Sequence, residues 1–450
     1  MIPRLLSCTE SSMGTNIGAT LGKIRDFLGL RPAIAAVLAM AVLVGTGEKM
    51  AERFVPLYLL ALGGGTLAVG LLNGLDNLLS ALYSYPGGAV SDRLGYKRAL
   101  LVFNLIAMTG YIIAILAPTW HIVILGAILF ISWTAISLPA TMELVASVLP
   151  KHKHTMGVSL HSLVRRIPMA LGPLIGGTLI GAYGPVRGIR LAFFAAVVLA
   201  GVAVILQQRF IDEKREPPAP GNAEKPAQDN HTRLLTPPLR RLLVSDILVR
   251  FCEQIPYAFV VLWCVNYRGV TPFQFGILSA IEMATAMLIY IPVAWLADQG
   301  EKKPFVVTTF VFFTLFPLML LWARSFPAMV LAFVVRGLKE FGEPTRKALI
   351  MALAPPGRKA ATFGLYYLIR DLVVSVAAFG GALLWDSSIV SQFVSLTGIG
   401  EGFAQVWAKI ASPQLNFLVA SACGAAGTAY FALFGKGENV SSATQTTSNT

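Results

Sequence analysis

Long apolar runs separated by short polar segments recur through most of this chain, and they set the strongest limit on its fold. A run holds about 20 residues, which lets an α-helix cross the roughly 30 Å of hydrocarbon in a bilayer. The composition agrees, since 55% of the residues are hydrophobic and 13% are charged, and soluble proteins carry about 25% charged residues. Barrel strands would instead alternate over about 10 residues. The chain is therefore predicted to be an all-α membrane protein.

The apolar runs predict twelve transmembrane helices in two sets of six. The spans are residues 32–60, 66–88, 99–117, 121–149, 156–183 and 189–208, then 240–267, 271–297, 304–323, 327–354, 359–385 and 413–435. The predicted domains are a cytoplasmic segment 1–31, two six-helix bundles at 32–208 and 240–435, a cytoplasmic linker 209–239, and a disordered cytoplasmic tail 436–450. The linker is charged and proline-rich, with too little apolar surface to fold alone. A long outer loop, residues 386–412, precedes the last span.

The placement of the basic residues predicts an orientation. With the amino terminus inside, the predicted cytoplasmic segments hold 21 Lys and Arg and the outer segments hold 5. The positive-inside rule then places both termini in the cytoplasm, and we expect the protein in a bacterial inner membrane. The same placement explains the net charge of +13 without a nucleic-acid partner. The expected partners are membrane lipid, a small-molecule substrate and protons, and the protein is expected to be a monomer.

The second half of the chain repeats the first. At an offset of 206, one set of residues falls on a similar set: Gly70, Asp76, Pro86, Asp92 and Lys97 on Gly276, Glu282, Pro292, Asp298 and Lys303. At an offset of 205, Arg165 falls on Arg370. Since each half has an even number of spans, the repeat is parallel and its axis lies along the membrane normal. The bundles are therefore predicted to be pseudo-symmetric.

A polar segment between spans two and three carries a recognisable motif. Its residues are Gly88, Asp92, Arg93, Gly95, Lys97 and Arg98. This spacing, with the twelve spans around it, resembles the major facilitator superfamily over essentially the whole chain. One departure is Tyr96, where that family commonly has a basic residue. Asp92 itself stands just before span three, where a carboxylate can accept hydrogen bonds from free N–H groups.

The resemblance implies a mechanism and a cavity. It implies that two bundles rock about a midplane site, with the polar motif latching them in the outward-open state. It also implies that spans one, four, seven and ten, with two, five, eight and eleven, line the cavity. The alternative is that the motif only sets topology. Span five adds a helix-packing motif, Gly172, Pro173, Gly176 and Gly177, which resembles part of a motif of proton-exchanging family members and favours export by antiport.

Ionisable residues at membrane depth are the candidate site, because each is costly to bury there. A proton-coupled carrier needs a carboxylate that gains a proton when buried and loses it to water or to a cation. The candidates are Glu52 first, then Glu48 and Asp76. Candidates for the substrate cavity are Arg53, His161, Arg165, Arg166, Arg250, Glu253, Glu282, Arg336, Glu340, Arg370 and Asp371. Asp246, Arg250 and Glu253 also line one face of span seven, at a spacing that predicts ion pairs within that span.

The arginines favour one class of cargo. Arg165 and Arg370 are related by the repeat, and guanidinium groups suit carboxylates and phosphates. An anionic or zwitterionic organic solute is therefore expected. Proton-driven uptake of an anionic solute is the alternative to export, and a membrane sensor on the same scaffold is a second alternative. No nucleotide-binding, zinc or nucleophile motif is found, so no cofactor, metal site or enzyme activity is predicted.

Overall fold

The computed structural model of the protein describes residues 32–131, 164–210, 235–298, 301–355, 359–397 and 400–436. Every regular element within these ranges is a helix, as the sequence predicted. The first half contains α1 (Pro32–Glu52), α2 (Val55–Ala61), α3 (Gly65–Leu94), α4 (Tyr96–Leu116), α5 (Trp120–Phe130) and α6 (Arg166–Phe210). Backbone angles inside α6 are non-helical at Gly184 (φ 78°, ψ 169°). That residue therefore separates the predicted fifth and sixth spans.

The second half repeats this pattern after residue 235. It contains α7 (Pro237–Gln254), α8 (Phe259–Leu262), a π-helix (Trp263–Tyr267), α9 (Pro272–Asp298), α10 (Lys302–Trp322), α11 (Phe326–Leu338), α12 (Glu343–Leu353), α13 (Lys359–Trp385), α14 (Ser388–Thr397), α15 (Glu401–Ile410) and α16 (Pro413–Phe434). The bounds follow the predicted spans within a few residues. The region predicted as a long outer loop differs, because α14 and α15 lie inside it. Neither helix is long enough to cross a bilayer.

Seven helical stretches in the described chain are long and apolar enough to cross a membrane, judged by length and composition. They are Lys97–Leu116, Arg166–Phe210, Pro237–Tyr267, Pro272–Ile289, Lys302–Trp322, Thr362–Trp385 and Pro413–Phe434. The protein is therefore an all-α membrane protein. The count of twelve spans stays a prediction, because span four runs into residues 132–163, outside the described ranges, and other spans are interrupted. The domain boundaries also stay predictions.

Three predicted spans are interrupted, and a proline lies at each interruption. Span one breaks at Arg53 and Phe54, two residues before Pro56, and Pro256 lies in the turn between α7 and α8. Span ten breaks between α11 and α12, just before Pro344. Proline has no backbone N–H and disfavours helix in the residue before it. Irregular backbone at membrane depth is tolerated where it lines a cavity or is buried in protein, so these breaks mark the region to search for a site.

Basic side chains fasten helix ends to their neighbours. Arg190 donates hydrogen bonds to the Ala117 carbonyl at the end of α4 (2.6 Å) and to the Tyr58 hydroxyl (3.0 Å). Lys97 donates to the Gln208 carbonyl near the end of α6 (3.1 Å). The last carbonyls of a helix have no partner within it and lie at the negative end of its dipole. These contacts therefore satisfy polar groups that lipid could not.

The two halves meet through small residues. α6 packs against α9, and α3 packs against α13. Gly177 lies against the backbone of Pro272, and a Cβ placed on Gly276 would come within 2.5 Å of the Pro173 carbonyl oxygen. Gly70 lies against Ala382 in the same way. The absence of a side chain lets these helix backbones approach closely, and the contacts lie at the ends predicted to face outside.

Gly276→Leu should therefore wedge the two halves apart at this end. Overpacking costs about 1–3 kcal/mol, which shifts a two-state equilibrium roughly 5- to 150-fold towards the separated state. The measurement is the distance between spin labels at Tyr183, beside the break in α6 at Gly184, and at Phe273, at the start of α9, in a background without native cysteines. Gly181→Leu is the matched control, since no atom lies within 4 Å of a Cβ there. Equal label distances in the two leucine variants would contradict this packing.

Candidate functional site: a charged cavity between the two halves

A cavity of about 390 Å³ lies between the two halves, beside two of the helix breaks. Arg53 lines it from the break after α1, and Tyr257 and Ala258 line it from the break after α7. The other lining residues are Glu48, Lys49, Glu52, Val55, Pro56, Leu72, Asn73, Asp76, Ser80, Phe130, Ile131, Arg165, Met169, Val260, Val261, Phe275 and Arg336. Pockets for small molecules commonly measure about 300–1,000 Å³, so this volume suits an organic solute.

Two of the three candidate proton carriers share one lysine. Lys49 Nζ lies 3.3 Å from Glu48 Oε1 and forms a closer ion pair and hydrogen bond with Glu52 Oε2. The three residues occupy the last turn of α1, and their side chains are largely buried. A cation between two carboxylates stabilises their charged forms. Glu48 and Glu52 are therefore already compensated within their own helix.

Asp76, the third candidate, stands in a different environment. It lies on α3, is half-buried and lines the cavity. Its carboxylate has no hydrogen bond and no cation within ion-pair distance among the described residues. Its neighbours on α3 do have partners, because Asn73 and Asn77 donate to the carbonyl and the side chain of Gln254 at 2.9 and 3.2 Å. Asp76 is thus a cavity carboxylate that the described part of the chain leaves open.

Two arginines face the same cavity without a carboxylate partner among the described residues. Arg165 lies just before α6 and is half-buried. Arg53 places its guanidinium 5.0 Å from the centre of the Tyr257 ring, a cation–π contact. A guanidinium presents several N–H donors in a fixed fork. These arginines therefore offer donors for an anionic group.

Arg336 joins the cavity to a second cluster of charges. Its Nε lies 3.2 Å from Glu282, and Lys339 lies 3.5 Å from Glu282 and 2.7 Å from Glu253. Arg250 lies 2.5 Å from Glu253. Glu282 is 1% exposed, so its charge depends on these cations. The ion pairs therefore run from the cavity wall into the second half.

The same chain of ion pairs continues away from the cavity. Arg250 lies 3.7 Å from Glu343, which binds Arg346 at 2.6 Å, and Arg346 pairs in turn with Asp246. We call the set the ion-pair ladder; its members are Asp246, Arg250, Glu253, Glu282, Arg336, Lys339, Glu343, Arg346, Lys347, Arg370 and Asp371. Its charges alternate in sign, so nearly every buried member has a counter-charge.

The ladder confirms one of the ion pairs predicted within span seven and corrects the other. The spacing within span seven predicted internal ion pairs; Arg250 and Glu253 do form one, but Asp246 pairs with Arg346 and Arg370 from other helices. Asp246 also accepts a hydrogen bond from the Tyr366 hydroxyl (3.0 Å). Tertiary neighbours at full burial outweigh a partner one turn away. The internal pairing of Asp246 with Arg250 is therefore wrong.

Most other predicted cavity residues lie in pairs. Arg166 binds Glu340 at 3.0 Å, which links α6 of the first half to the turn after α11 in the second. Arg370 does not line the cavity and instead pairs with Asp246 and Asp371. The repeat-related Arg165 and Arg370 therefore lie in different surroundings. His161 lies outside the described residues.

The polar motif between α3 and α4 is placed only in part. The surroundings of Gly88 and the side chain of Asp92 lie outside the described part of the structure. The backbone of Asp92 lies in the last turn of α3, three residues before the N-cap of α4, and its predicted hydrogen bonds to the N–H groups of span three stay a prediction. Gly95 occupies the N-cap position of α4 with φ 80°, a conformation that favours glycine. Arg93 and Arg98 are exposed, and Lys97 binds the end of α6.

The helix-packing motif lies along α1 and α9. Gly172 lies against Lys49 and Met50, Gly176 lies against the backbone of Met50, and Gly177 lies against Pro272. Pro173 lies inside α6 and meets Gly276. The motif therefore brings α6 close to the helix that carries Glu48 and Glu52, and to the other half.

Sequence reasoning left some cavity residues unassigned. Lys49 was not assigned to the site, although it neutralises two site carboxylates. Asn73, which lines the cavity, was missed, although it donates a hydrogen bond to the Gln254 carbonyl of the other half. A signal existed for Asn73, because it precedes Asp76 by three residues and so shares its helix face. No comparable signal pointed to Phe130 or Phe275.

The family model of the Major Facilitator Superfamily matches residues 37–378. The multidrug resistance protein MdtG of Enterobacter lignolyticus is 31% identical over 183 residues, which are 39% of this chain and 42% of that protein. The multi-drug resistance efflux pump PmrA homolog of Lactococcus lactis is 28% identical over 267 residues, 58% of this chain and 64% of that protein. Both alignments thus span less than two thirds of the relative's own length.

The fold has relatives among solved structures. A bacterial homolog of the human lysosomal transporter spinster, in an inward-facing and occupied conformation, matches with a TM-score of 0.64 and 15% identity. The match covers 90% of this chain and 97% of that chain. At this level of identity the likeness concerns the fold alone.

Proposed function

The chain belongs to the Major Facilitator Superfamily, and from that premise we propose that it exports a small organic solute in exchange for protons. Membership makes it a membrane transporter rather than an enzyme. The observation that carries the proposal is the charged cavity between the two halves. It contains the Asp76 carboxylate and the guanidinium groups of Arg53 and Arg165, none of which forms an ion pair with another described residue. Rocking of the halves about this cavity would expose it to each side of the membrane in turn.

The arrangement of the halves supports an inward-facing state. Their close contacts, such as Gly177 with Pro272 and Gly70 with Ala382, lie at the ends predicted to face outside. Thr66 also lies 3.4 Å from Asp386 across the halves at that end. The spinster homolog that shares the fold was solved in an inward-facing conformation. Cargo would therefore enter this state from the cytoplasm, the side from which an exporter loads.

The names of two relatives support export as the direction of transport. Both are named for multidrug resistance, and one of them is called an efflux pump. We extend that direction to this chain, together with a bacterial inner membrane, cytoplasmic termini and a monomeric protein. Uptake of an anionic solute with protons is the second candidate, because Arg53 and Arg165 face the cavity without a described carboxylate partner.

Three carboxylates are candidates for the residue that carries the proton. Glu52 and Glu48 share Lys49, so either would have to break an ion pair to take up a proton. Asp76 has no such partner among the described residues and lines the same cavity. The geometry therefore favours Asp76, with Glu52 and then Glu48 as the next candidates.

Reconstituted vesicles test the proposal. Protein in vesicles with an imposed pH gradient should drive candidate solutes against their concentration gradients, and a proton ionophore should abolish that accumulation. Accumulation that survives the ionophore would reject proton coupling. Tight ligand binding without movement of any tested solute would favour the sensor over the transporter.

The polar motif gives a further prediction. Asp92→Asn should leave the protein folded and slow its cycling about tenfold or more, because the proposed latch for the outward-open state would lose the negative charge of Asp92. Initial rates of proton-driven transport measure the effect. Glu301→Gln, in the corresponding connection of the second half, is the matched control. Unchanged turnover in Asp92→Asn would dismiss the latch and leave the motif a role in topology only.

A further inference from the structure

The charges in the cavity wall can be divided by whether the protein already compensates them. Lys49 is held between Glu48 and Glu52, and Arg336 is paired with Glu282. Asp76, Arg165 and Arg53 form no ion pair with another described residue, although Arg53 contacts the ring of Tyr257. Asp76 and Arg165 lie on different elements, α3 and the segment that leads into α6. The cavity therefore offers one acceptor without an ion-pair partner, Asp76, and two such donors, Arg165 and the ring-bound Arg53.

A cavity that is partly shielded from water disfavours charges that are left without partners. A buried charge is costly unless a counter-charge and hydrogen bonds replace its water. A purely anionic solute would satisfy Arg165 and leave Asp76 uncompensated. A purely cationic solute would satisfy Asp76 and leave Arg165 uncompensated. A solute with both charges compensates both residues at once.

The remaining lining residues indicate an apolar framework for that solute, and the cavity volume limits its size. Phe130, Tyr257 and Phe275 present aromatic surface, and Leu72 and Val261 present aliphatic surface. Such surfaces bind an apolar or aromatic body. If a ligand fills between half and three quarters of 390 Å³, its own volume is roughly 200–290 Å³.

We propose that the cavity binds a zwitterionic organic solute with an apolar body, its ammonium group against Asp76 and its carboxylate against Arg165. This assignment rests on the proposed transport function and names the cargo class of the same site. Arg53, held against the Tyr257 ring, is a second donor for the carboxylate. Arg370 takes no part, since it pairs with Asp246 and Asp371.

Binding to the purified full-length protein, by calorimetry without any gradient, tests the charge pattern. The probes are two zwitterions, tryptophan and an aminomethyl-biphenyl-carboxylic acid, each with its methyl ester, its N-acetyl derivative and its doubly blocked neutral form. We expect at least one zwitterion to bind about tenfold or more tightly than its ester and its N-acetyl derivative, because each blocked form loses a charge-assisted hydrogen bond.

Two variants should each remove one of these preferences and keep the other, a result that we call the crossed pattern. Asp76→Asn should abolish the preference for the zwitterion over its N-acetyl derivative and keep the preference over its ester. Arg165→Gln should do the opposite. Arg240→Gln, an exposed arginine at the start of α7, is the control and should leave every affinity unchanged. A merely structural role would weaken all four probe forms together.

The outcomes separate this inference from the proposed function. The inference is overturned if both variants weaken all probe forms equally, or if no zwitterion binds more tightly than its blocked forms. If the crossed pattern appears but vesicles fail to move the zwitterion, the cargo class stands as a ligand class and the transport proposal fails. If vesicles pump only cationic or only anionic probes, the transporter stands and the zwitterion assignment fails.

Discussion

Asp76→Asn is expected to uncouple transport from the proton gradient, while downhill exchange continues at saturating cargo with a lower affinity for a zwitterionic solute. An amide has the shape of a carboxyl group but cannot take up and release a proton. When one proton is exchanged per cargo molecule and the membrane potential is clamped at zero, a gradient of one pH unit sustains about a tenfold accumulation. In the variant that ratio should fall to one. Two measurements are made on the same vesicles: steady-state accumulation, which reports coupling, and counterflow, which reports exchange.

The assignment of the proton to Asp76 also predicts the direction in which cargo affinity changes with pH. A proton and the ammonium group of the cargo compete for Asp76, so cargo affinity in the unmodified protein should fall as the pH is lowered. Glu48, Lys49, Glu52 and Arg53 line the same cavity and set the background charge. Asp76→Asn should remove this pH dependence.

Two further variants sharpen the assignment of the proton carrier. Glu401→Gln, an exposed carboxylate on α15, is the matched control and should accumulate cargo normally. Glu52→Gln distinguishes the candidates on α1 from Asp76. Uncoupling by Glu52→Gln together with normal coupling in Asp76→Asn would move the proton to α1 and reject the assignment made here.

Arg346→Met is expected to cause the largest loss of stability of any single change in the ion-pair ladder. Arg346 is 2% exposed and Asp246 is fully buried. Removing one member of a buried pair leaves an uncompensated charge and costs about 3–5 kcal/mol. Arg370, 3.6 Å away, and the hydroxyl of Tyr366 remain near Asp246 and offset part of this cost. Thermal unfolding in detergent measures the effect.

A double variant tests the cause. Asp246→Asn added to Arg346→Met removes the orphaned charge, and the asparagine oxygen can still accept from Tyr366. The double variant should therefore be more stable than Arg346→Met alone. Lys347→Met removes an exposed member of the ladder, 52% exposed, and should change stability by under about 1 kcal/mol. A double variant less stable than Arg346→Met would mean that packing, rather than charge, decides this region.

The sequence predicted the architecture well, because hydrophobic length is decided locally. The predicted spans 99–117 and 304–323 correspond to α4 and α10 within three residues at each end. The repeat could be recognised because Asp76 and Glu282, at an offset of 206, and Arg165 and Arg370, at an offset of 205, retain similar chemistry. Such features depend on the chain alone and not on which helix lies beside which.

The helix breaks and the helices of the outer loop were not predicted. The prolines at 56, 256 and 344 were visible, but proline is tolerated inside membrane helices, as Pro173 and Pro317 are here. The apolar pattern is therefore continuous across these positions and gave no sign of the breaks. The helices α14 and α15 lie in a region assigned to loop, where a search for 20-residue spans has no sensitivity to helices of 10 residues.

The charged residues of the site were found, but their partners were not. Burial in the membrane singled out Asp246, Glu282 and Arg336 by type and depth. Pairing depends on tertiary distance, so Asp246 joins a residue 100 positions away instead of Arg250. For the same reason the repeat suggested equal roles for Arg165 and Arg370, whereas only Arg165 lines the cavity.

The ion-pair ladder has an electrical consequence. It holds six cations and five carboxylates, alternating through the second half. Each elementary charge that crosses a membrane field changes the energy by about 2.3 kcal/mol per 100 mV, but opposite charges that move together nearly cancel. The energy of tilting the second half should thus depend only weakly on the membrane potential. Any current that accompanies turnover should then report the proton and the cargo rather than the moving protein.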